Sequence, residues 1–355
     1  MPGDLIQAAR SGDDDRIQTL LARETDQDVE NRWRSPALLA ASMGGHAGIV
    51  RLLLAHGVDP GERNRWGNTP LMAAAVGGDA GVAALLLSHG ADSCAQNRLG
   101  QTALHEAVHL GHGPVAELLI AHGAPVDAPT HTGHTPLMLA AAAGHAELVE
   151  LLCASGADPC TSTPEGWTAL ALAASRGHVA ITAILLSEGA EPDAAAVCRE
   201  TPLLEAAAHG HVPLVTLLLD HGADPNARNE FGQTALHPLA RDGRTDAVSL
   251  LLDHGADPDP PSVAGITPLM LASRFGRTGI ARLLLTSGAD PRARSPGGAT
   301  PLLEAVAVGH APLVALLLEH GADPRQETRW GTTPLDEAAE CGHQEICSML
   351  RSLPE

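Results

Sequence analysis

Lysine and tyrosine are absent from this 355-residue chain, and phenylalanine occurs only twice. The 22 basic residues are therefore all Arg, and against 42 acidic residues they leave a formal net charge of -20. Nucleic-acid binding needs a sustained basic field, and the long-range field of this chain repels phosphate, so we expect no nucleic-acid partner. The lack of Lys is consistent either with a GC-rich genome or with selection for a lysine-free chain.

Long apolar runs and paired cysteine motifs are missing as well. No run approaches the roughly 18 residues that span a bilayer, and no secretory leader opens the chain, so we expect no membrane contact. The cysteines form no C-x-x-C motif, which is typical of free thiols in a reducing cytosol, and a cytoplasmic protein is expected. They are Cys94, Cys153, Cys160, Cys198, Cys341 and Cys347.

One pattern fills the chain, and the stretch from Thr201 to Gly232 shows it clearly. Thr201 is a typical helix N-cap, and Pro202 suits the first helical position, where its missing N–H has no cost. A second helix rich in leucine follows, and Gly222 supplies the left-handed residue that ends it. Two helices this short leave much leucine surface uncovered, so the unit must be stabilised by stacked copies of itself.

Copies of this unit recur every 33 residues. The residues at the Thr201 position, called anchors below, are Gly3, Pro36, Thr69, Thr102, Thr135, Thr168, Thr201, Thr234, Thr267, Thr300 and Thr333. We predict a single domain over 1–355, with an N-terminal capping repeat at 1–33, nine internal repeats at 34–330 and a C-terminal capping repeat at 331–355. A repeat array of this kind has one continuous core without internal boundaries.

The repeated motif resembles that of the ankyrin repeat family. Its T-P-L-H-x-A signature survives as Thr-Ala-Leu-His at 102–105 and 234–237 and as Thr-Pro-Leu-Met or Thr-Pro-Leu-Leu in other units. The resemblance implies an all-α repeat protein, an ankyrin solenoid of stacked helix–turn–helix units with β-hairpin-like loops. It also implies a concave face, built by the residues four, three and one before each anchor and seven and eight after it.

All six aromatic residues fall on this predicted face, as do several Arg. Arg beside Trp at 32–33, 65–66 and 329–330 suits cation–π contact and carboxylate binding. The aromatic residues either pack against neighbouring hairpin tips or serve as contact anchors, and the Arg are either solvated or binding. The predicted binding residues are Arg32, Trp33, Arg65, Trp66, Arg98, Trp167, His209, Phe231, Arg241, Arg274, Phe275, Arg329 and Trp330.

Most of the 19 His fit the repeat and are expected to form hydrogen bonds between turns. His209 and three others lie outside the template. Glu106 and His109 are one helical turn apart, and His131 with His134 belongs to the next hairpin, so these four are weak metal-ligand candidates. Solvated polar residues are the alternative. We expect neither a metal nor a cofactor.

The sequence therefore favours a non-enzymatic scaffold that binds a protein or extended peptide with acidic and apolar elements in its concave groove. We expect a monomer. The rival hypothesis is an enzyme or small-molecule site in that groove, with Glu205 and His209, or Glu106 and His109, as an acid–base pair. No nucleophile elbow, phosphate loop or repeated catalytic cluster supports it. A structural or immunity-like role is a third reading that sequence does not separate from the first.

Overall fold

A computed structural model describes residues 2–23 and 27–353, with side chains described over 4–22 and 34–353. Over this part of the chain there are 22 α-helices, a short 3-10 turn at Val197–Arg199 and no β-strand beyond one isolated bridge. None of the described helices has the length and apolar content that a bilayer crossing requires. The predicted all-α repeat architecture is confirmed.

The chain divides into two compact units, Met1–Ala173 with Ala183–Ala190 and Ala174–Thr182 with Glu191–Glu355. The helices of the first unit are α1 (Pro2–Ser11), α2 (Asp14–Arg23), α3 (Gln27–Met43), α4 (Ala47–Ala55), α5 (Pro70–Gly77), α6 (Ala80–Ser88), α7 (Ala103–Leu110), α8 (Gly113–Ala121), α9 (Pro136–Ala143) and α10 (Ala146–Ala154). The division passes through α11 (Ala169–Arg176) and α12 (Val179–Ser187). The single domain 1–355 stays a prediction.

The second unit repeats the same alternation of helices. Its members are α13 (Pro202–Ala208), α14 (Val212–Asp220), α15 (Leu236–Asp242), α16 (Thr245–Asp253), α17 (Pro268–Arg274), α18 (Thr278–Thr286), α19 (Pro301–Ala307), α20 (Ala311–Glu319), α21 (Pro334–Glu340) and α22 (Gln344–Arg351). Within each unit, the first helix of one repeat packs on the first helix of the next, and the second helices form a parallel layer. The core lies between the two layers, where residues such as Leu218 and Leu251 are fully buried.

The anchor threonines start the first helices as the sequence predicts. The hydroxyl of Thr201 accepts the backbone N–H of Leu204, and Thr69, Thr135, Thr267 and Thr300 make the equivalent bond. Such a bond satisfies a helix N–H that has no partner within the helix. The first helices of these repeats therefore begin at a fixed residue, which also fixes where the preceding hairpins end.

Hairpin tips of consecutive repeats are joined by backbone hydrogen bonds. The N–H of Arg98 donates to the carbonyl of Trp66 (3.0 Å) in the first unit, and the N–H of Val263 donates to the carbonyl of Phe231 (2.8 Å) in the second. A Cβ added at Gly100 would stand 2.8 Å from the backbone nitrogen of His131, so glycine lets neighbouring tips approach. The tips are thus held in register by their backbones, which leaves their side chains available for other contacts.

Three places depart from the regular pattern. The hairpin expected around 32–33 is absent, because α3 runs unbroken from Gln27 to Met43. Pro238 has no N–H to donate to Thr234, and α15 begins only at Leu236. Arg199 stands where the other tips carry glycine and has a φ of 62°, as has Cys198, in the left-handed region that costs an L-residue about 1–2 kcal/mol.

A ladder of short polar side chains also links repeats in the second unit. Asp193 accepts the N–H of Asp224, and 33 residues later Asn226 accepts that of Asp257 (2.8 Å) while its amide donates to the carbonyl of Gly255. Asp259 takes the third place, with Oδ2 at 3.4 Å from the nitrogen of Asp290. Its other oxygen is buried and has no hydrogen-bond partner of ordinary geometry among the described residues, although the nearby Thr267 hydroxyl has a small lowering effect on the pKa of Asp259. A carboxylate is therefore a poorer member of this ladder than an amide.

Replacing Asp259 by Asn is expected to raise the free energy of unfolding near pH 7 by about 1 kcal/mol, the value of one net hydrogen bond. Burial, aided by nearby Asp290 and Asp257, raises the pKa of Asp259 to about 6 from 3.8. Its stabilising contribution is complete below 3.8 and is lost as the pH rises through about 6, so the advantage of the variant shrinks on acidification. Urea unfolding at about pH 7.5 and about pH 5 measures both effects. Glu327→Gln, at an exposed position, is the control. An Asp259→Asn variant that is less stable than the wild type at both pH values would contradict the prediction.

Candidate functional site

The candidate site is the tip face, defined as the exposed side chains of the hairpin tips and of the last turn of each first helix. The tips are shaped locally: in the first unit, Oδ1 of Asn64 accepts the N–H groups of Trp66 (2.9 Å) and Asn68 (3.0 Å). Asn229 makes the same pair of bonds to Phe231 and Gln233 in the second unit. Because the backbone is held in this way, the residue three before each anchor projects its side chain from the tip.

Four predicted aromatic residues are exposed on this face. The exposed fraction rises from 44% for Phe275 through 55% for Trp66 and 57% for Phe231 to 72% for Trp330. Trp167 is half-buried. Buried aromatic rings usually supply a large share of a core, and here the core is aliphatic. The side chains of Arg32 and Trp33 lie outside the described residues.

Sequence reasoning missed the aliphatic members of the tip face, among them three on the hairpin tips. Val263 is 77% exposed and Leu99 is 64% exposed, and Val197 is exposed as well. They stand three or four residues before an anchor, at positions that the family resemblance assigns to the concave face. Their position in the repeat is therefore the sequence signal that identifies them.

Arginine and tryptophan stack on the tip face in both units. The guanidinium carbon of Arg65 lies 3.9 Å from the ring centroid of Trp66, and that of Arg329 lies 4.1 Å from the ring of Trp330. Such cation–π contacts contribute about 0.5–1 kcal/mol at exposed sites, and the stacked guanidinium keeps donors directed outward. Each pair offers a flat apolar surface with a positive edge. Arg98 is exposed between the tips of the first unit.

Two other predicted Arg are engaged by acidic neighbours. Arg274 forms a bidentate pair with Glu304, with Nη2–Oε1 and Nε–Oε2 distances of 2.6 and 2.8 Å. Arg241 contacts Asp242 through Nε at 2.7 Å, and this hydrogen bond lowers the pKa of the Asp242 carboxyl. Both guanidinium groups are exposed, yet each already has a carboxylate partner. They are less suited to attract an acidic ligand than their sequence positions indicate.

His209 and Glu205 form a loose pair. Nδ1 of His209 is 3.6 Å from the nearest Glu205 carboxylate oxygen and 3.0 Å from the Glu205 backbone carbonyl, and the imidazole stacks on His211 with ring centroids 5.9 Å apart. Burial raises the pKa of Glu205, with a smaller opposing effect from His209. Proton transfer between positioned groups needs about 2.6–3.2 Å. This geometry fixes the ring of His209 to its own helix rather than to the carboxylate.

Of the four weak metal candidates, His134 has a side-chain contact and His131 has a backbone hydrogen bond. Nδ1 of His134 is 3.0 Å from the hydroxyl of Thr132, and the backbone N–H of His131 donates to the carbonyl of Leu99. Glu106 is influenced electrostatically by His109, while its pKa is raised by burial. Among the residues that the structure describes, no three His, Cys, Asp or Glu side chains come close enough to hold a metal ion.

The G-H turn histidines bridge consecutive repeats as predicted. Nε2 of His46 lies 3.2 Å from the carbonyl of Arg10, and His112 and His145 make the equivalent contacts 36 residues back. In the second unit Arg277 replaces the histidine and donates from Nε to the carbonyl of Arg241 (3.1 Å). These imidazoles belong to the repeat framework and not to a separate site.

Comparison with known proteins agrees with the repeat spacing. A family model described as ankyrin repeats (3 copies) matches residues 5–97, 91–163, 155–229, 203–295 and 287–353. No curated protein sequence matches the chain significantly. The five overlapping matches leave only a few residues at either end uncovered. Over essentially its whole length, the chain belongs to the ankyrin repeat family.

Proposed function

We propose that this protein is a non-enzymatic scaffold that binds a protein or extended peptide on its tip face. Ankyrin repeats are generally protein–protein interaction modules, which supports binding as the general role. The observation that carries the proposal is the placement of the aromatic residues. In a chain with only six, four stand exposed on one kind of surface, where they add nothing to the core.

The chemistry of the tip face indicates the type of partner. Exposed rings and the aliphatic residues Leu99 and Val263 favour apolar side chains. The stacked Arg65 and Arg329 present donors that match carboxylates, so the proposed partner carries acidic as well as apolar residues. Aromatic and Arg side chains are enriched among residues that dominate binding energy, which makes these positions the proposed anchors.

Affinity capture from an extract of the native host tests the proposal. The bait is the tagged full-length chain, compared with a tip-face variant carrying Phe231→Ala and Trp330→Ala. The matched control carries Glu150→Ala and Asp220→Ala, two exposed positions on second helices. Proteins retained by the wild type and the control but lost by the tip-face variant support the proposal. A partner retained equally by all three baits would place binding elsewhere.

A further inference from the structure

A cavity of about 410 Å³ opens in the first unit, between α1, α3 and α5 and the tip that carries Trp66. Its walls are largely apolar, with Leu39, Met43 and Met72 beside the indole of Trp66. Met43 is more than half exposed although it belongs to a first helix. Methionine side chains adapt to irregular ligands, and pockets of this size and lining are typical of binding sites.

Glu106 on α7 is the one carboxylate among the residues that line this cavity. It is half-buried, and no cation or hydrogen-bond donor among the described residues is in contact with its carboxylate. His109, one turn further along the same helix, has a weak electrostatic effect that lowers the pKa of Glu106. A half-buried carboxylate without a partner is costly, because it loses hydration without gaining a hydrogen bond. Glu106 therefore gives the cavity a negative charge that a cationic group of a ligand can pair with.

Another repeat of the same chain shows which group fits. Glu304 stands four residues after its anchor, as Glu106 does, and is held by Arg274 of the preceding repeat in a bidentate pair. The residue that corresponds to Arg274 in the repeat before Glu106 is Val76, which also lines the cavity. The first unit thus has the carboxylate of this arrangement without its arginine. Because Val76 and Glu106 both line the cavity, a guanidinium that paired with Glu106 as Arg274 pairs with Glu304 would lie within the cavity.

We infer that this cavity receives an arginine side chain of the bound partner, whose guanidinium pairs with Glu106 while a neighbouring apolar residue packs on Met43, Met72 and Trp66. The inference rests on the proposed scaffold function and names one element of the partner. A net charge of -20 favours the approach of a basic segment. Arg10 also lines the cavity, but it stands on α1, and the stacked helices α3 and α5 separate it from α7. At about 10 Å per helix step, the repulsion between Arg10 and a guanidinium paired with Glu106 is screened.

The test uses a capped peptide, acetyl-Leu-Leu-Arg-Leu-Leu-amide, and its counterpart with citrulline in place of arginine. Citrulline keeps the shape and removes the charge. The full-length protein is labelled with ¹³C at its methionine methyl groups, because Met43 and Met72 line the cavity, whereas Met138 and Met270 occupy the position of Met72 in other repeats. We expect the arginine peptide, at millimolar concentration or below, to shift the resonances of Met43 and Met72 and to leave those of Met138 and Met270 unchanged. The citrulline peptide should bind at least about tenfold more weakly.

Three variants complete the experiment. Glu106→Gln is expected to weaken the arginine peptide at least about tenfold, and Val76→Arg, which supplies the missing guanidinium from within the chain, is expected to do the same. Glu304→Gln is the control, because that carboxylate is already occupied by Arg274, and it should leave the affinity unchanged. Unshifted Met43 and Met72 resonances, equal binding of the citrulline peptide, or undiminished binding by Glu106→Gln would each overturn the inference. A natural partner whose capture survives Glu106→Gln but not the tip-face substitutions would overturn it while leaving the scaffold function standing.

Discussion

Replacing Trp330 or Phe231 by Ala is expected to weaken the natural partner's binding at least about thirtyfold, which corresponds to about 2 kcal/mol. Both rings are mostly exposed, so truncation removes little from the packed interior. The free energy of unfolding should change by no more than about 0.5 kcal/mol, as is usual for surface substitutions. A large loss of affinity without a loss of stability is the signature of a contact anchor.

The measurement is the dissociation constant of the captured partner, combined with thermal unfolding of each variant. Trp330 has a further reason to matter, because its truncation also removes the surface on which Arg329 stacks. Arg274→Ala is a poorer choice for this test, since it would strand the half-buried Glu304 and disturb the repeat itself. If Glu150→Ala and Asp220→Ala abolish binding while the aromatic substitutions do not, the tip face is not the binding site.

Replacing His237 by Ala is expected to lower the free energy of unfolding by about 3 kcal/mol. The imidazole is 1% exposed; its Nδ1 accepts the N–H of Thr234 (3.0 Å), and its Nε2 lies 3.2 Å from the carbonyl of Ile266. One ring therefore caps its own helix and bonds to the next repeat. Alanine leaves a void and an unpaired buried N–H.

Methionine is the matched control, because the repeats that read Thr-Pro-Leu-Met place it at this position. The sulfur of Met72 lies 3.5 Å from the backbone nitrogen of Thr69, where His237 has its ring nitrogen. His237→Met should keep the volume and the acceptor, lose only the bond to Ile266 and cost about 1 kcal/mol. If both variants lower the free energy of unfolding equally, the prediction that alanine leaves a destabilising void is wrong.

The pH dependence of the same variants gives a second measurement. Burial lowers the pKa of His237 below 6.5, so the imidazole is held neutral in the folded protein. Its contribution to stability is complete above 6.5 and is lost as the pH falls through the lower folded value. His237→Met removes this titrating group. The difference in free energy of unfolding between the wild type and the variant should therefore become smaller as the pH falls. Urea unfolding at several pH values measures it.

Most of the fold could be predicted because it depends on local rules repeated at a fixed interval. The threonine caps, the proline at the first helical position and the glycine after the second helix act within a few residues. The long helix α3 could not be predicted in this way. The spacing assigns a hairpin to 32–33, whereas the residues around them continue the helix.

The candidate site was only partly predictable, because its charges are decided between repeats. The position of Arg274 on an exposed face follows from the spacing, but its engagement with Glu304 depends on a side chain 30 residues away in the next repeat. The same holds for Glu106, whose lack of a partner becomes visible only when Val76 is seen in the place of an arginine. Exposure follows from position in the repeat, whereas pairing requires the coordinates of both neighbours.

The Arg274–Glu304 pair has a consequence for how such a gene can gain or lose repeats by recombination. Glu304, four residues after its anchor, pairs with the residue seven after the previous anchor, so the repeat that carries Glu304 depends on which repeat precedes it. Loss of 267–299 would place Arg241 in the repeat directly before Glu304, at the position of Arg274. Arg241, which now pairs with Asp242, would then be able to pair with Glu304 instead. Loss of 234–299 would bring Ala208 there and strand Glu304. At this point in the array, the order of the repeats is thus constrained by the charge that one unit presents to the next.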